Sequence, residues 1–170
     1  MTQIILVGFM GAGKTTVGAQ LALALNTYQR DLDQVIEQQL GESIGSFFAR
    51  EGEPAFRLFE TKMLRENAAL DVILSTGGGI VMQAQNRDIL KQSGAPVIYL
   101  KTQPEAILQR LRGNLDRPLL NQLDRESFLD LWQYREPLYQ AVADFTIVTD
   151  KLTPTEITEQ IINQLNVRKR

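Results

Sequence analysis

The chain has 170 residues, an ordinary globular share of hydrophobic side chains at 44%, and a formal net charge of -2. That length suits one domain with a real core, and the near-neutral balance argues against a nucleic-acid-binding surface. Cysteine and histidine are both absent, which excludes disulfides, thiolate metal sites, imidazole bases and histidine-dependent triads. In chain order, residues 3–7 are an apolar run that predicts a buried strand. Gly8-Phe9-Met10-Gly11-Ala12-Gly13-Lys14-Thr15 follows at once. It fits G-x-x-x-x-G-K-[ST], a loop whose backbone N–H groups turn inward on phosphate oxygens. Val17, Leu21 and Leu25 then recur at helical spacing, so the loop opens a helix whose dipole favours anions.

Residues 27–31 form a weaker strand candidate that ends in acids. Helical patterns cover 34–40 and 44–50, and a longer helix starts near Glu53-Pro54, with proline in its first turn. Residues 72–75 are the next strand and run into Thr76-Gly77-Gly78-Gly79. A helix over 83–92 leads to a strand at 96–100, and Pro104 opens a helix ending near 111. Residues 112–123 read as a loop. Helix returns over 127–142, interrupted by Pro137, before a strand at 145–148 and a closing helix at 154–165. Alternating strands and helices predict a doubly wound α/β domain with a parallel sheet and helices on both faces. In such sheets ligands sit beyond the carboxyl ends of the strands, where the phosphate loop, the acids and the triple glycine all fall. No apolar run is long enough to span a bilayer, and the first one lacks a basic leader. A soluble cytoplasmic monomer is the expectation.

Lys14 can place a point charge on the outer phosphates of a nucleoside triphosphate, and Thr15 can offer its hydroxyl to Mg²⁺. In an extended segment Asp31 and Asp33 face the same way. One can then serve a metal ion through water and the other accept a proton from an attacking hydroxyl; otherwise both are solvated acids, or Asp33 is only the N-cap of the next helix. Arg57 and Glu60 lie one turn apart. They are either a surface ion pair or a fork for a substrate carboxylate with its support. The three glycines at 77–79 suggest close approach of a ligand to bare backbone. Arg117 sits in a loop able to fold down onto phosphates, and Arg110 and Arg112 add charge nearby. Trp132 and Tyr134 read as packing residues.

Taken together, these runs resemble the shikimate kinase family over essentially the whole chain. The resemblance rests on Gly8–Thr16, Asp31-x-Asp33, Gly52-Glu53-x-x-Phe56-Arg57-x-x-Glu60, Thr76-Gly77-Gly78-Gly79, Arg117-Pro118-Leu119-Leu120 and Arg135-Glu136-Pro137-Leu138-Tyr139. It implies a P-loop kinase fold like that of the nucleoside monophosphate kinases, with a five-stranded parallel sheet flanked by helices. A single kinase domain would span residues 1–170, with a substrate-binding helical region at about 33–60 and a mobile lid at about 112–124. The implied reaction moves the γ-phosphoryl of ATP to the 3-hydroxyl of shikimate, with Mg²⁺. Gly11, Ala12, Gly13, Lys14, Thr15, Thr16, Arg110, Arg117 and Pro154 would hold the nucleotide. Asp33, Arg57, Gly78 and Arg135 would bind shikimate, with Asp33, Lys14 and Arg117 catalytic. Thr15 would ligate Mg²⁺ directly, and Asp31 would stand behind it through water. Two departures stand out: Gln29 and Arg30 precede Asp31 where relatives are usually apolar, and Leu32 replaces a small polar residue. Rival readings are another small-molecule kinase, acting on gluconate or a nucleoside monophosphate, and a non-catalytic nucleotide switch.

Overall fold

The computed structural model describes residues 3–111 and 124–168. Its strands are β1 Ile4–Val7, β2 Gln29–Asp31, β3 Ile73–Ser75, β4 Val97–Lys101 and β5 Phe145–Val148. They form one parallel sheet in the order β2-β3-β1-β4-β5. The helices are α1 Lys14–Ala24, α2 Leu32–Leu40, α3 Ile44–Glu51, α4 Glu53–Asn67, α5 Ala84–Gln92, α6 Pro104–Leu111, α7 Arg125–Val142 and α8 Pro154–Arg168. The expected lid falls almost wholly outside the described residues, and Arg112 and Arg117 fall outside with it. No helix among the described residues is long and apolar enough to cross a membrane.

The alternation of side chains along β1 explains the layering, because successive residues face opposite sides of the sheet. Ile5 and Val7 join Leu74, Val97 and Tyr99 in a core covered by Leu32 and Ile36 of α2, Leu64 of α4, Leu90 of α5 and Phe128 of α7. Ile4 and Leu6 join Ile73, Ile98 and Leu100 on the other side, beneath Val17 and Leu21 of α1 and Ile157 and Ile161 of α8. Every residue of β1 is buried. A strand covered on both faces has to read as a continuous apolar run, and this one does.

β2 is as weak as its sequence suggests. It has three residues, lies at the sheet edge and pairs only with β3. Its end departs from expectation, because the chain does not stay extended through Asp33. Asp31 is already the N-cap of α2, and its Oδ1 accepts from the Gln34 N–H at 3.2 Å. An aspartate in this position satisfies a donor that the first helical turn leaves orphaned. Asp33 therefore sits in the first turn of α2.

Pro137 does not interrupt α7, which runs unbroken from Arg125 to Val142. The missing N–H removes the bond to the carbonyl four residues back. Both Pro137 and Gln133 are exposed, so water can take that carbonyl. A short 3₁₀ turn, Ile80–Met82, also separates the triple glycine from α5, where the sequence pattern indicates no element.

Candidate functional site

The site begins where β1 ends. Gly13 caps α1 at φ 92, with open space where a Cβ would stand. Its conformation and not crowding selects glycine there. The Lys14 ammonium folds back across the loop and donates to the carbonyls of Gly8 at 2.6 Å and Phe9 at 3.0 Å. Buried Ala12 donates its N–H to the Phe9 carbonyl, which tightens the turn. Arg110 reaches in from α6, and its Nη1 donates to the Gly11 carbonyl at 3.3 Å. Thr15 and Thr16 are exposed in the first turn of α1. Pro154 is exposed at the start of α8, and no hydrogen bond among the described residues ties it to the loop.

Thr15 Oγ1 donates to Asp31 Oδ2 at 2.8 Å, so the hydroxyl and the carboxylate form a pair of hard oxygens at the loop's mouth. Asp33 is half-buried one step further in. Burial pushes its pKa up to about 6, and the charges of Asp31 and Glu60 push the same way against the pull of Lys14.

The triple glycine lies directly beside the phosphate loop because β3 and β1 are neighbours. Ser75 is in register with Leu6, and both the N–H and the hydroxyl of Thr76 donate to the Leu6 carbonyl. None of Gly77, Gly78 and Gly79 needs a left-handed backbone. What selects glycine is space. A Cβ on Gly77 would stand 2.7 Å from Asp33 Oδ1, and one on Gly79 would stand 2.6 Å from Arg57 Nη2. One on Gly78 would stand 3.1 Å from the Met10 N and 3.5 Å from Arg135 Nη1. The sequence suggested room for a ligand; in the folded chain much of that room is occupied by the protein's own Asp33 and Arg57.

Arg57 and Glu60 are not a solvated surface pair. Arg57 Nη1 donates to Glu60 Oε1 at 2.8 Å, with the side chains only 13% and 2% exposed. Burial raises the Glu60 pKa against the opposing pull of Arg57. Arg57 also lies over the Phe56 ring and within 3.4 Å of Glu53. Arg135 is the more telling group. It is 7% exposed, it sits over the Phe9 ring, and its Nε and Nη1 have no hydrogen-bond partner among the described residues. Among the described residues it makes no ion pair. A buried cation left in this state is costly unless an anion arrives.

Asp33, Arg57, Gly78 and Arg135 thus meet around the triple glycine, near Lys14, Thr15 and Asp31, although they come from α2, α4, α7 and the loop after β3. Other contributors carry weaker sequence signals. Ser75 Oγ donates to the Lys14 carbonyl at 3.1 Å, and Gln29 Nε2 donates to the Thr15 carbonyl at 2.8 Å. Gln29 is one of the two polar departures from the family pattern, and it fastens the first turn of α1. Phe9, an aromatic in a loop that needs none for phosphate, is the platform for Arg135. Trp132 packs against the core and its Nε1 donates to the Thr102 carbonyl at 3.0 Å. Tyr134 is 64% exposed and does not pack as expected, because it projects from the solvent side of α7.

Comparison with known proteins identifies the family. The shikimate kinase family model matches residues 10–166. A shikimate kinase from Chromohalobacter salexigens is 46% identical over 163 residues, covering 95% of this chain and 90% of the relative. One from Enterococcus faecalis is 41% identical over 167 residues, covering 97% and 99%. Among solved structures, the shikimate kinase of Acinetobacter baumannii in complex with shikimate superposes with a TM-score of 0.92 at 41% identity, covering 99% of this chain and 95% of that one. By sequence, by fold and along nearly its full length, the chain belongs to the shikimate kinase family.

Proposed function

We infer that this protein transfers the γ-phosphoryl group of ATP to the 3-hydroxyl of shikimate, giving shikimate 3-phosphate and ADP for aromatic amino-acid synthesis. The observation that carries the choice of acceptor is Arg135, a buried guanidinium with no ion pair among the described residues, beside the triple glycine whose next residue meets Arg57. Two guanidinium groups at one end of a cleft suit a carboxylate, and a carboxylate side chain at the other end suits hydroxyls. Shikimate carries both. In this reading Arg57 and Arg135 clamp its carboxylate, Glu60 steadies Arg57, and Asp33 accepts a hydrogen bond from the hydroxyl that will react.

The nucleotide phosphates lie in the loop from Gly11 to Thr16, with Lys14 exchanging its bonds to the Gly8 and Phe9 carbonyls for phosphate oxygens. Arg110 and Pro154 flank the base. Thr15 and Asp31 offer hard oxygens that fit Mg²⁺, which neutralises charge on the β- and γ-phosphates when bound. Among the described residues no group of three acidic side chains could hold a metal alone, so phosphate oxygens would have to complete the set. The acceptor oxygen attacks the γ-phosphorus. A new P–O bond forms, the bond to the β–γ bridging oxygen breaks, and ADP leaves with that electron pair. Asp33 takes the hydroxyl proton. Such transfer depends on alignment and charge neutralisation more than on a strong base, so a carboxylate raised to about pH 6 is adequate. Arg117, carried by a lid over residues 112–124, would add positive charge to the transferring group and shut out water.

The same reading makes the enzyme a cytoplasmic monomer. In support, the large exposed apolar side chains among the described residues fall on several elements, with Leu23 on α1, Leu58 on α4, Tyr134 on α7 and Val148 on β5. The deciding experiment measures ADP release with ATP and Mg²⁺ alone, then with shikimate, gluconate or a nucleoside monophosphate. Shikimate alone should stimulate strongly, and chelation of Mg²⁺ should abolish the signal. Stimulation by gluconate instead would overturn the acceptor, and stimulation by none would favour a nucleotide switch.

A further inference from the structure

The hydroxyl of Tyr139 on α7 donates to the Gly78 carbonyl at 2.5 Å. This bond fixes more than the oxygen. A trans peptide unit is planar, with its C=O and N–H pointing in opposite directions, and the chain contains no cis peptide among the described residues. Holding the Gly78 carbonyl on Tyr139 therefore turns the Gly79 N–H away from Tyr139, and the Arg57 guanidinium packs against the same glycine. Gly79 is buried, and its N–H donates to no described residue. An unmatched donor in a buried residue calls for an explanation. Here the adjacent guanidinium groups supply one, because they mark the place where an anionic oxygen would sit.

Tyr139 is itself firmly seated. It is 1% exposed, and its ring stacks on that of Tyr99 with centroids 5.0 Å apart. The Tyr99 hydroxyl donates to Glu136, which also accepts from Lys101 at 2.9 Å and Gln140 at 3.1 Å. Burial opposes ionisation of Glu136, but these hydrogen bonds together hold its carboxyl below the usual range. Burial raises the Tyr139 pKa, opposed by the Arg135 charge and by the hydrogen bond that Arg135 donates to the Tyr139 oxygen, so the hydroxyl keeps its proton.

We propose that Tyr139 is a positioning residue for the phosphoryl acceptor: by holding the Gly78 carbonyl it aims the Gly79 N–H at the substrate carboxylate. The proposal rests on the acceptor reading given above. Its test is Tyr139→Phe, which removes the hydroxyl and keeps the ring against Tyr99. In substrate-free enzyme labelled with ¹⁵N-glycine, the Gly79 amide resonance should shift while those of Gly41 and Gly94 stay in place. An unmoved Gly79 resonance overturns the proposal, whatever the substrate. In steady-state assays the KM for shikimate should rise about tenfold, the cost of misdirecting one hydrogen bond to a charged group. The KM for ATP and kcat should stay within about twofold to threefold. Equal losses on both substrates, or an unchanged shikimate KM, would reduce Tyr139 to a packing residue. A wild-type enzyme that ignores shikimate would instead indict the acceptor assignment, while the glycine resonances would still decide the role of Tyr139.

Discussion

Replacing Asp33 by Asn should make the protein more stable and nearly inactive. The folded structure raises the Asp33 pKa from 3.8 to about 6, chiefly by burial and secondly through the charges of Asp31 and Glu60. Each pKa unit corresponds to about 1.4 kcal/mol, so the ionised carboxylate costs at most about 3 kcal/mol at neutral pH. Its half-buried position lets solvent screen part of this, which leaves about 1–3 kcal/mol. Below about pH 4 the carboxyl is protonated in both the folded and unfolded chains and costs nothing. As the pH rises through about 6 the folded form must ionise in place, and that stability is lost. Asparagine keeps the shape without the charge. For a chain of this length the variant should melt roughly 3–10 °C above the wild type at pH 7.5, and the gap should close on descent to pH 4. Turnover should fall about 10²-fold or more, since the hydroxyl proton loses its acceptor. Paired thermal melts across that pH range, with ADP release measured on the same samples, test both halves. A variant less stable than wild type at pH 7.5, or a gap that widens toward pH 4, would refute the electrostatic reasoning; near-normal turnover would remove Asp33 from the chemistry.

The same titration should appear in catalysis. Because kcat/KM reports the free enzyme, its value for shikimate should decline below about pH 6 with the slope of one proton, and a flat profile down to pH 5 would contradict this. Gly79→Ala places a methyl group 2.6 Å from Arg57 Nη2. The backbone there is compatible with alanine at φ -90, so the guanidinium gives way and the fold survives. The shikimate KM should rise about tenfold, as expected for one displaced charge-assisted contact, with the ATP KM unchanged. Arg57→Ala leaves Glu60 buried without its 2.8 Å partner and should cost about 3 kcal/mol in urea unfolding. Adding Glu60→Gln should recover much of that loss, and a double variant no more stable than the single one would show that the pair's charge is not the cause.

The sheet and its layers were readable in the sequence because parallel strands covered on both faces must be apolar throughout, as Ile4–Val7 and Val97–Lys101 nearly are. The phosphate loop was readable because its conformation restricts residue types locally. The acceptor side was harder. The spacing of Arg57 and Glu60 is the same in a solvated ion pair and in a buried clamp, and only the fold reveals that Glu60 is 2% exposed. The acids were expected to share a face through an extended segment, whereas Asp31 ends the strand as a helix cap and Asp33 lies in the first turn of that helix. The triple glycine was legible as unusual. Its cause, side chains arriving from α2 and α4, depends on contacts across more than twenty positions in sequence. Tyr139 gave even less warning, since an aromatic residue in a helix next to the core is usually there for packing alone.

The adjacency of β1 and β3 has a consequence for how such an enzyme changes its substrate. The phosphate loop hangs from one strand and the triple glycine from the next, so the separation of the two is inherited from the interstrand repeat of about 4.8 Å. Backbone hydrogen bonds act as the ruler, and no side chain has to measure the distance. Substitutions on α4 and α7 would then be free to alter which molecule is gripped without moving the point where oxygen meets phosphorus. Recognition is written on the helices and reach is written in the sheet, which lets one be revised while the other is kept.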